Sequence, residues 1–212
     1  MKTDEIQTLL SAARIVPVVT IRRADDAVPL AAALARGGIR IIEITLRTPA
    51  ALEAIEAVAR EVPDITTAVG TVMSAGDMQR AADAGAVLAF SPGISAELLA
   101  SDTLPLVAGV ATASELMLGV NAGRRAFKFF PAGAAGGQAM LESLGGPFPD
   151  CRFCPTGGVS GANAATWLAL SNVMCVGGSW LTPGAEVAAQ DWSAIERRAS
   201  EALAALDGRV SA

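Results

Sequence analysis

One lysine stands where a lysine is costly. The run Arg125-Ala126-Phe127-Lys128-Phe129-Phe130-Pro131-Ala132-Gly133 is short, apolar and aromatic, closed by a proline and a glycine, which is the pattern of a buried strand. Side chains alternate along a strand, so Lys128 and Phe130 share one face while Phe127 and Phe129 share the other. An amine inside such a run must be paired, reach solvent or be neutral. The only other lysine is Lys2; all remaining basic residues are arginines, which cannot form an imine as lysine can. On the strand alone, an ion-pair partner or a chain that snorkels from the strand end is a better reading of Lys128 than a reactive amine; the other unusual residues reverse that order.

A second group breaks the apolar pattern at Ile41-Ile42-Glu43-Ile44-Thr45-Leu46-Arg47-Thr48. Period two puts Glu43, Thr45 and Arg47 on one face. Glu43 and Arg47 could satisfy each other as inward charges. They could equally be a carboxylate for proton transfer beneath a guanidinium that holds an anion. Further along come Val69-Gly70-Thr71 and Ser91-Pro92-Gly93, each readable as simple turn chemistry. Near the end, Thr156-Gly157-Gly158 and Gly177-Gly178-Ser179 supply two glycine pairs. Either pair alone could be a tight turn; together, with Ser179, they suit a phosphate held by backbone N–H groups.

The elements that must position these residues form a repeat. Strand-like runs cover residues 15–21, 39–46, 65–72, 87–92, 104–111, 125–131, 152–157 and 173–180. Stretches of helical period lie between them at 25–36, 49–61, 74–84, 95–101, 112–122, 137–144 and 161–170, with a last helix over about 191–206. Thr48-Pro49 and Ser74 offer helix N-caps, and Thr112-Ala113-Ser114-Glu115 is a capping-box pattern. Eight strand–helix units with doubly buried strands predict an α/β fold, a single compact (β/α)₈ TIM barrel with an extra N-terminal helix. Residues 1–13 are that helix, 14–182 the barrel and 183–212 a C-terminal helical segment, all one domain. In such a barrel the active site lies at the C-terminal strand ends, which is where the unusual residues fall. An apolar wall beside Lys128 and the charge of Arg47 would bias the amine towards its neutral form, while Glu43 opposes them.

Composition narrows the function. The chain has 212 residues, 52% hydrophobic and 17% charged, enough for one sizeable core. A net charge of −5 and no basic strip speak against nucleic acid. Cys151, Cys154 and Cys175 are an odd count without a signal peptide, so a reduced, cytoplasmic protein is expected. Cys151 and Cys154 have CxxC spacing, but on a strand an odd offset sends them to opposite faces. With no histidine in the chain, neither a zinc site nor a metal-dependent aldolase is expected. Residues 155–185 carry no charge, yet internal glycines, asparagines and Pro183 divide the stretch into strand and helix lengths, so it reads as protein interior and not as a membrane span.

With these residues in hand, the chain resembles the bacterial 2-keto-3-deoxy-6-phosphogluconate aldolases over nearly its whole length. The resemblance rests on Pro17-Val18-Val19, Glu43-Ile44-Thr45-Leu46-Arg47-Thr48, Val69-Gly70-Thr71-Val72, Ser91-Pro92-Gly93-Ile94, Phe127-Lys128-Phe129-Phe130-Pro131-Ala132, Arg152-Phe153-Cys154-Pro155-Thr156-Gly157-Gly158 and Gly177-Gly178-Ser179-Trp180. It departs from the family pattern at Ala68, Val110-Ala111 and Gly133-Ala134, none of which removes a catalytic group.

The resemblance implies Lys128 as the imine-forming lysine and Glu43 as general acid/base through a water. It implies Arg47 and Thr71 at the substrate carboxylate, with Pro92, Phe130 and Thr156 lining the pocket. Gly157, Gly158, Gly177, Gly178 and Ser179 would hold the phosphate. It further implies no metal or other cofactor, a phosphorylated keto acid as substrate and a homotrimer. Side activity on 4-hydroxy-2-oxoglutarate fits the same scaffold. The alternatives are the galactonate-derived phosphate substrate, a barrel isomerase that binds a sugar phosphate without covalent chemistry, and a non-catalytic phosphate-binding module.

Overall fold

The structure is a computed structural model and describes residues 3–207; Lys2 and the last five residues of the expected C-terminal segment lie outside them. Helix α1 (Thr3–Ala13) leads into β1 (Ile15–Val19), a 3₁₀ turn (Ala24–Asp26) and α2 (Ala27–Arg36). There follow β2 (Ile41–Thr45), α3 (Ala51–Glu61), β3 (Thr66–Gly70), α4 (Ala75–Asp83), β4 (Leu88–Phe90) and α5 (Ala96–Ala100). Then come β5 (Leu106–Val110), α6 (Ala113–Asn121), β6 (Ala126–Phe129), α7 (Gly137–Gly145), β7 (Arg152–Pro155), α8 (Ala164–Leu168) and β8 (Val176–Gly178). Helices α9 (Gly184–Ala188) and α10 (Trp192–Asp207) complete the chain.

Each strand is parallel to its neighbours, in the order β7-β6-β5-β4-β3-β2-β1-β8. Two isolated bridges, Phe153 to Val173 and Thr156 to Gly177, tie β7 to the β8 end and bring the sheet to a nearly closed ring. This is the TIM-barrel-like α/β fold that eight buried strand–helix units require.

Alternation divides the core into two layers. Ile42, Ile44, Val69, Phe127, Phe129 and Phe153 pack outward against the helices. Ile41, Leu88, Phe90, Val107 and Cys154 fill the inside of the barrel together with Ile6, Leu10 and Ala13 of α1. Gln7 on α1 donates to the carbonyl of Arg125, at the start of β6. Helix α1 is therefore a plug across the N-terminal strand ends, leaving the opposite end open. The two cysteines of the CxxC spacing separate as alternation demands, Cys151 outward and Cys154 inward.

Local signals are mostly honoured. Ser74 and Thr112 both close capping boxes, with Asp77 and Glu115 reaching back. The N-cap expected at Thr48-Pro49 is a correction: α3 begins at Ala51, capped by Ala50 without a side-chain bond. The Thr48 hydroxyl instead donates to the carbonyl of Ile21, fastening the end of β2 to the loop after β1. The segment after residue 182 is two helices, turned at Gln190, whose φ is 53°. Among the described residues no helix is long and apolar enough to cross a membrane, and the uncharged stretch divides into the end of β7, α8, β8 and their loops.

Candidate active site

Glu43 lies mid-way along β2 and Lys128 on β6, and both point into the barrel. The Lys128 Nζ donates to Glu43 Oε1 at 2.8 Å and to Oε2 at 3.1 Å. Lys128 is 3% exposed and Glu43 1%, so the contact is a buried, two-pronged ion pair. Such a pair survives only because each charge desolvated by folding meets its opposite. The amine also lies 5.6 Å from the ring centroids of both Phe90 and Phe130. Two aromatic walls and one carboxylate thus surround a single nitrogen.

Neighbouring strands make room for this pair. A Cβ on Gly70 would stand 2.2 Å from Glu43 Oε1, so the carboxylate fills a slot that exists because β3 carries no side chain there. Gly109 on β5 is the register partner of Lys128. A Cβ there would stand 2.4 Å from the Pro92 carbonyl carbon, so the turn after β4 leans over the barrel mouth. Buried Ser91 fixes that turn: its hydroxyl donates to the Gly93 carbonyl at 2.6 Å and accepts from the Gly109 N–H at 3.2 Å.

The alternative pairing of Glu43 with Arg47 is not the one present. Strand β2 ends at Thr45, and Arg47 is exposed beyond it, donating from Nε to the Thr71 hydroxyl at 3.0 Å. Thr71 itself has φ 61°, a left-handed backbone uncommon for a β-branched residue. Thr45 turns its hydroxyl to the Val19 carbonyl at 3.0 Å, closing β2 onto β1.

On the far side, buried Thr156 donates to the Cys154 carbonyl at 3.3 Å and bridges to Gly177. Its hydroxyl occupies the place of a Gly177 side chain, 2.3 Å from where the Cβ would be. Gly157 and Gly158 take left-handed φ values of 91° and 82°. Their carbonyls are tied back by the Gly133 N–H at 2.8 Å and by Asn163 Nδ2 at 3.0 Å. Gly178 is buried under the Trp180 ring, while Ser179 is exposed on the rim.

The structure therefore joins Lys128, Glu43 and Phe130 directly, pairs Arg47 with Thr71, and bridges the Thr156 and Gly177 loops. Pro92 stands over Gly109. Three further neighbours have no site role in the sequence reading. Phe90 is in phase on β4, directly before Ser91-Pro92-Gly93, and could have been found by extending alternation backwards from that turn. Ser91 is buried and organises the turn. Cys154 is the register partner of Lys128 on β7. Burial pushes the thiol of Cys175 well above its ordinary value, with Cys154 and Glu43 adding to the effect, so Cys175 is an inert thiol.

Comparison with known proteins gives this arrangement a family. The family model described as KDPG and KHG aldolase matches residues 6–198. A 2-dehydro-3-deoxy-phosphogluconate aldolase of Pseudomonas aeruginosa is 50% identical over 205 residues, covering 95% of this chain and 93% of that one. The KHG/KDPG aldolase of Escherichia coli K12 is 45% identical over 200 residues, covering 93% and 94%. Among solved structures, the KDPG aldolase of Legionella pneumophila, with pyruvate captured at low pH as a covalent carbinolamine intermediate, superposes with a TM-score of 0.89. It is 44% identical and covers 92% of this chain and 97% of that one. A lone barrel lysine paired with a carboxylate, matched in sequence and fold along nearly the full length, leaves one conclusion: the chain belongs to the KDPG and KHG aldolase family.

Proposed function

We propose that Lys128 is the Schiff-base lysine of a metal-independent aldolase that cleaves 2-keto-3-deoxy-6-phosphogluconate to pyruvate and glyceraldehyde 3-phosphate. The observation that carries this reading is the buried Lys128–Glu43 contact, with two oxygens within 3.1 Å of the nitrogen. A carboxylate so placed can take a proton from the ammonium and leave a neutral amine to attack.

In this mechanism the Lys128 amine attacks C2 of the keto acid, and loss of water gives a protonated imine. Glu43, through a water, takes the proton of the C4 hydroxyl. The C3–C4 bond breaks, its electron pair moves into the imine, and the phosphorylated aldehyde leaves. Glu43 returns a proton to C3 of the enamine, and hydrolysis of the imine frees pyruvate. The imine serves as the electron sink for the carbanion-like transition state. The captured pyruvate carbinolamine of the Legionella relative supports the covalent addition with which this sequence of steps begins.

Arg47, set by Thr71, takes the substrate carboxylate. Pro92, Phe130 and Thr156 line the path of the carbon chain. Gly157, Gly158, Gly177, Gly178 and Ser179 take the phosphate. The pairing of the KHG and KDPG names among relatives supports side activity on 4-hydroxy-2-oxoglutarate. The same reading makes the protein a cytoplasmic homotrimer. Three buried free cysteines support a reducing compartment, and the exposed Met73, Met117 and Leu118 offer apolar surface for a subunit contact.

The test is steady-state cleavage of the phosphorylated keto acid, with pyruvate release as readout. Lys128→Ala is expected to abolish turnover; full turnover in that variant would refute the assignment.

A further inference from the structure

A cavity of about 510 Å³ opens beside the barrel mouth, between the loop after β1 and the segment after β8. Val18, Thr20, Arg22, Ser179 and Thr182 are on its wall. Val18 is the register partner of Glu43, so the cavity begins one strand away from the Lys128–Glu43 pair. Ser179 is shared with the loop read above as phosphate-binding. The cavity thus extends the site outward past that loop.

Its charges are unevenly committed. Asp26 is 6% exposed, accepts from Gln190 Nε2 at 2.8 Å and faces Arg23 Nε at 3.8 Å. Arg23 also lies 3.9 Å from Asp25. Arg22 is exposed and, among the described residues, has no ion pair. The wall carries two arginines and one aspartate, so its formal charge is +1 (2 − 1) in a chain of −5. Two other cavities of similar size, about 470 and 480 Å³, lie in the helical layer; acidic groups outnumber Arg60 in the first, and Glu61 and Asp64 balance Arg36 and Arg40 in the second. Of these three cavities, the one at the strand ends alone has a lining of net positive charge.

We propose that Arg22 is a specificity-determining residue, facing Ser179 across this cavity and holding the phosphate dianion at the far end of the substrate. This rests on the aldolase reading given above and names a group that reading lacks. An exposed guanidinium reaches a phosphate through paired N–H donors, and its charge draws an anionic substrate towards an acidic protein. The interaction is made in ground state and transition state alike, so it affects KM and leaves kcat alone.

The experiment compares Arg22→Gln and Arg22→Lys with the unsubstituted enzyme on the phosphorylated keto acid and on the same keto acid without phosphate. Borohydride trapping with pyruvate is run in parallel. Arg22→Gln is expected to raise KM for the phosphorylated substrate about tenfold or more, with kcat and the unphosphorylated substrate unchanged. Arg22→Lys restores part of the loss. An unchanged KM for the phosphorylated substrate, or an equal loss on both substrates, overturns the proposal. Pyruvate trapping in Arg22→Gln at the unsubstituted level shows that the Lys128 chemistry is intact and the loss is one of recognition. Failure to trap pyruvate even in the unsubstituted enzyme overturns the aldolase reading, and this proposal with it.

Discussion

The carboxylate of Glu43 occupies the space in which a side chain at Gly70 would begin. The ideal Cβ of residue 70 would stand 2.2 Å from Oε1, 2.6 Å from Cγ and 2.8 Å from Cδ. Glu43 is held against Lys128 from one side by the ion pair and from the other by an absence on β3. The barrel interior is otherwise close-packed, so this slot decides where the Glu43 oxygens can be.

Gly70→Ala should therefore act on chemistry more than on folding. Glu43 must move, and a displacement near 1 Å at a reacting group can cost about 10²-fold in rate. Overpacking adds about 1–3 kcal/mol of destabilisation. Measured kcat is expected to fall about a hundredfold while circular dichroism still reports a folded barrel. Unchanged kcat would show that the slot does not position Glu43.

The Lys128–Glu43 pair should be strongly coupled in stability. Lys128→Met leaves a buried carboxylate without its partner and is expected to cost about 3–5 kcal/mol. Lys128→Met combined with Glu43→Gln removes both charges and should recover a large part of that loss. A double-mutant cycle by urea denaturation reads the coupling directly. Strict additivity of the two single changes would contradict a contact of this kind.

How much of this could be read from the chain follows from which interactions are local. Alternation along one strand is a local property, so it placed Lys128 with Phe130 and separated Cys151 from Cys154 correctly. Glycine-bounded apolar runs gave eight strands, and eight parallel strands admit few architectures. The partner of Glu43 was a different matter. Period two places Arg47 on the same face, but β2 ends at Thr45, and the chain carries Arg47 out to Thr71. Lys128 lies 85 residues away from Glu43 in sequence, and only closure of the barrel brings them together. The Thr48 cap failed for a similar reason, because its hydroxyl found the Ile21 carbonyl on another loop. Phe90 was legible by alternation on its own strand, whereas the Ser91 bond to Gly109 and the slot at Gly70 are matters of packing between strands, which no single run of residues encodes.

Thr71 should show function and stability pulling apart. Its φ of 61° costs a β-branched residue about 1–3 kcal/mol. Thr71→Gly removes that strain but adds freedom to the unfolded chain, so stability should stay level or rise by about 1 kcal/mol. The same change deletes the hydroxyl that accepts from Arg47, and KM for the keto acid should rise several-fold. Thermal unfolding together with steady-state kinetics tests both halves. A stabilised variant with unchanged KM would remove Thr71 from the account of carboxylate binding.

Helix α6 should carry a pH-dependent cap. Burial pushes the Glu115 carboxyl up, but bonds from the Ala111 N–H and from the hydroxyl and N–H of Thr112 outweigh it and hold it below its ordinary value. A depressed carboxyl stabilises the fold above its unfolded pKa, about 4.3, and loses that contribution as pH falls through the lower folded value. Glu115→Gln should cost up to about 1 kcal/mol at pH 7, near the low end for a half-exposed cap. The difference between variant and parent should shrink below about pH 4. Chemical denaturation at pH 7 and pH 3 reads it; a gap that widens in acid would reverse the sign of the argument.

The proposed chemistry depends on one nitrogen, Lys128 Nζ. Incubating the protein with pyruvate and borohydride, then mapping the modified peptide by mass spectrometry, identifies the residue that forms the imine. A stable three-carbon adduct on Lys128, absent from Lys128→Ala, is the predicted result. No adduct, or an adduct on another residue with full cleavage activity in Lys128→Ala, would contradict it.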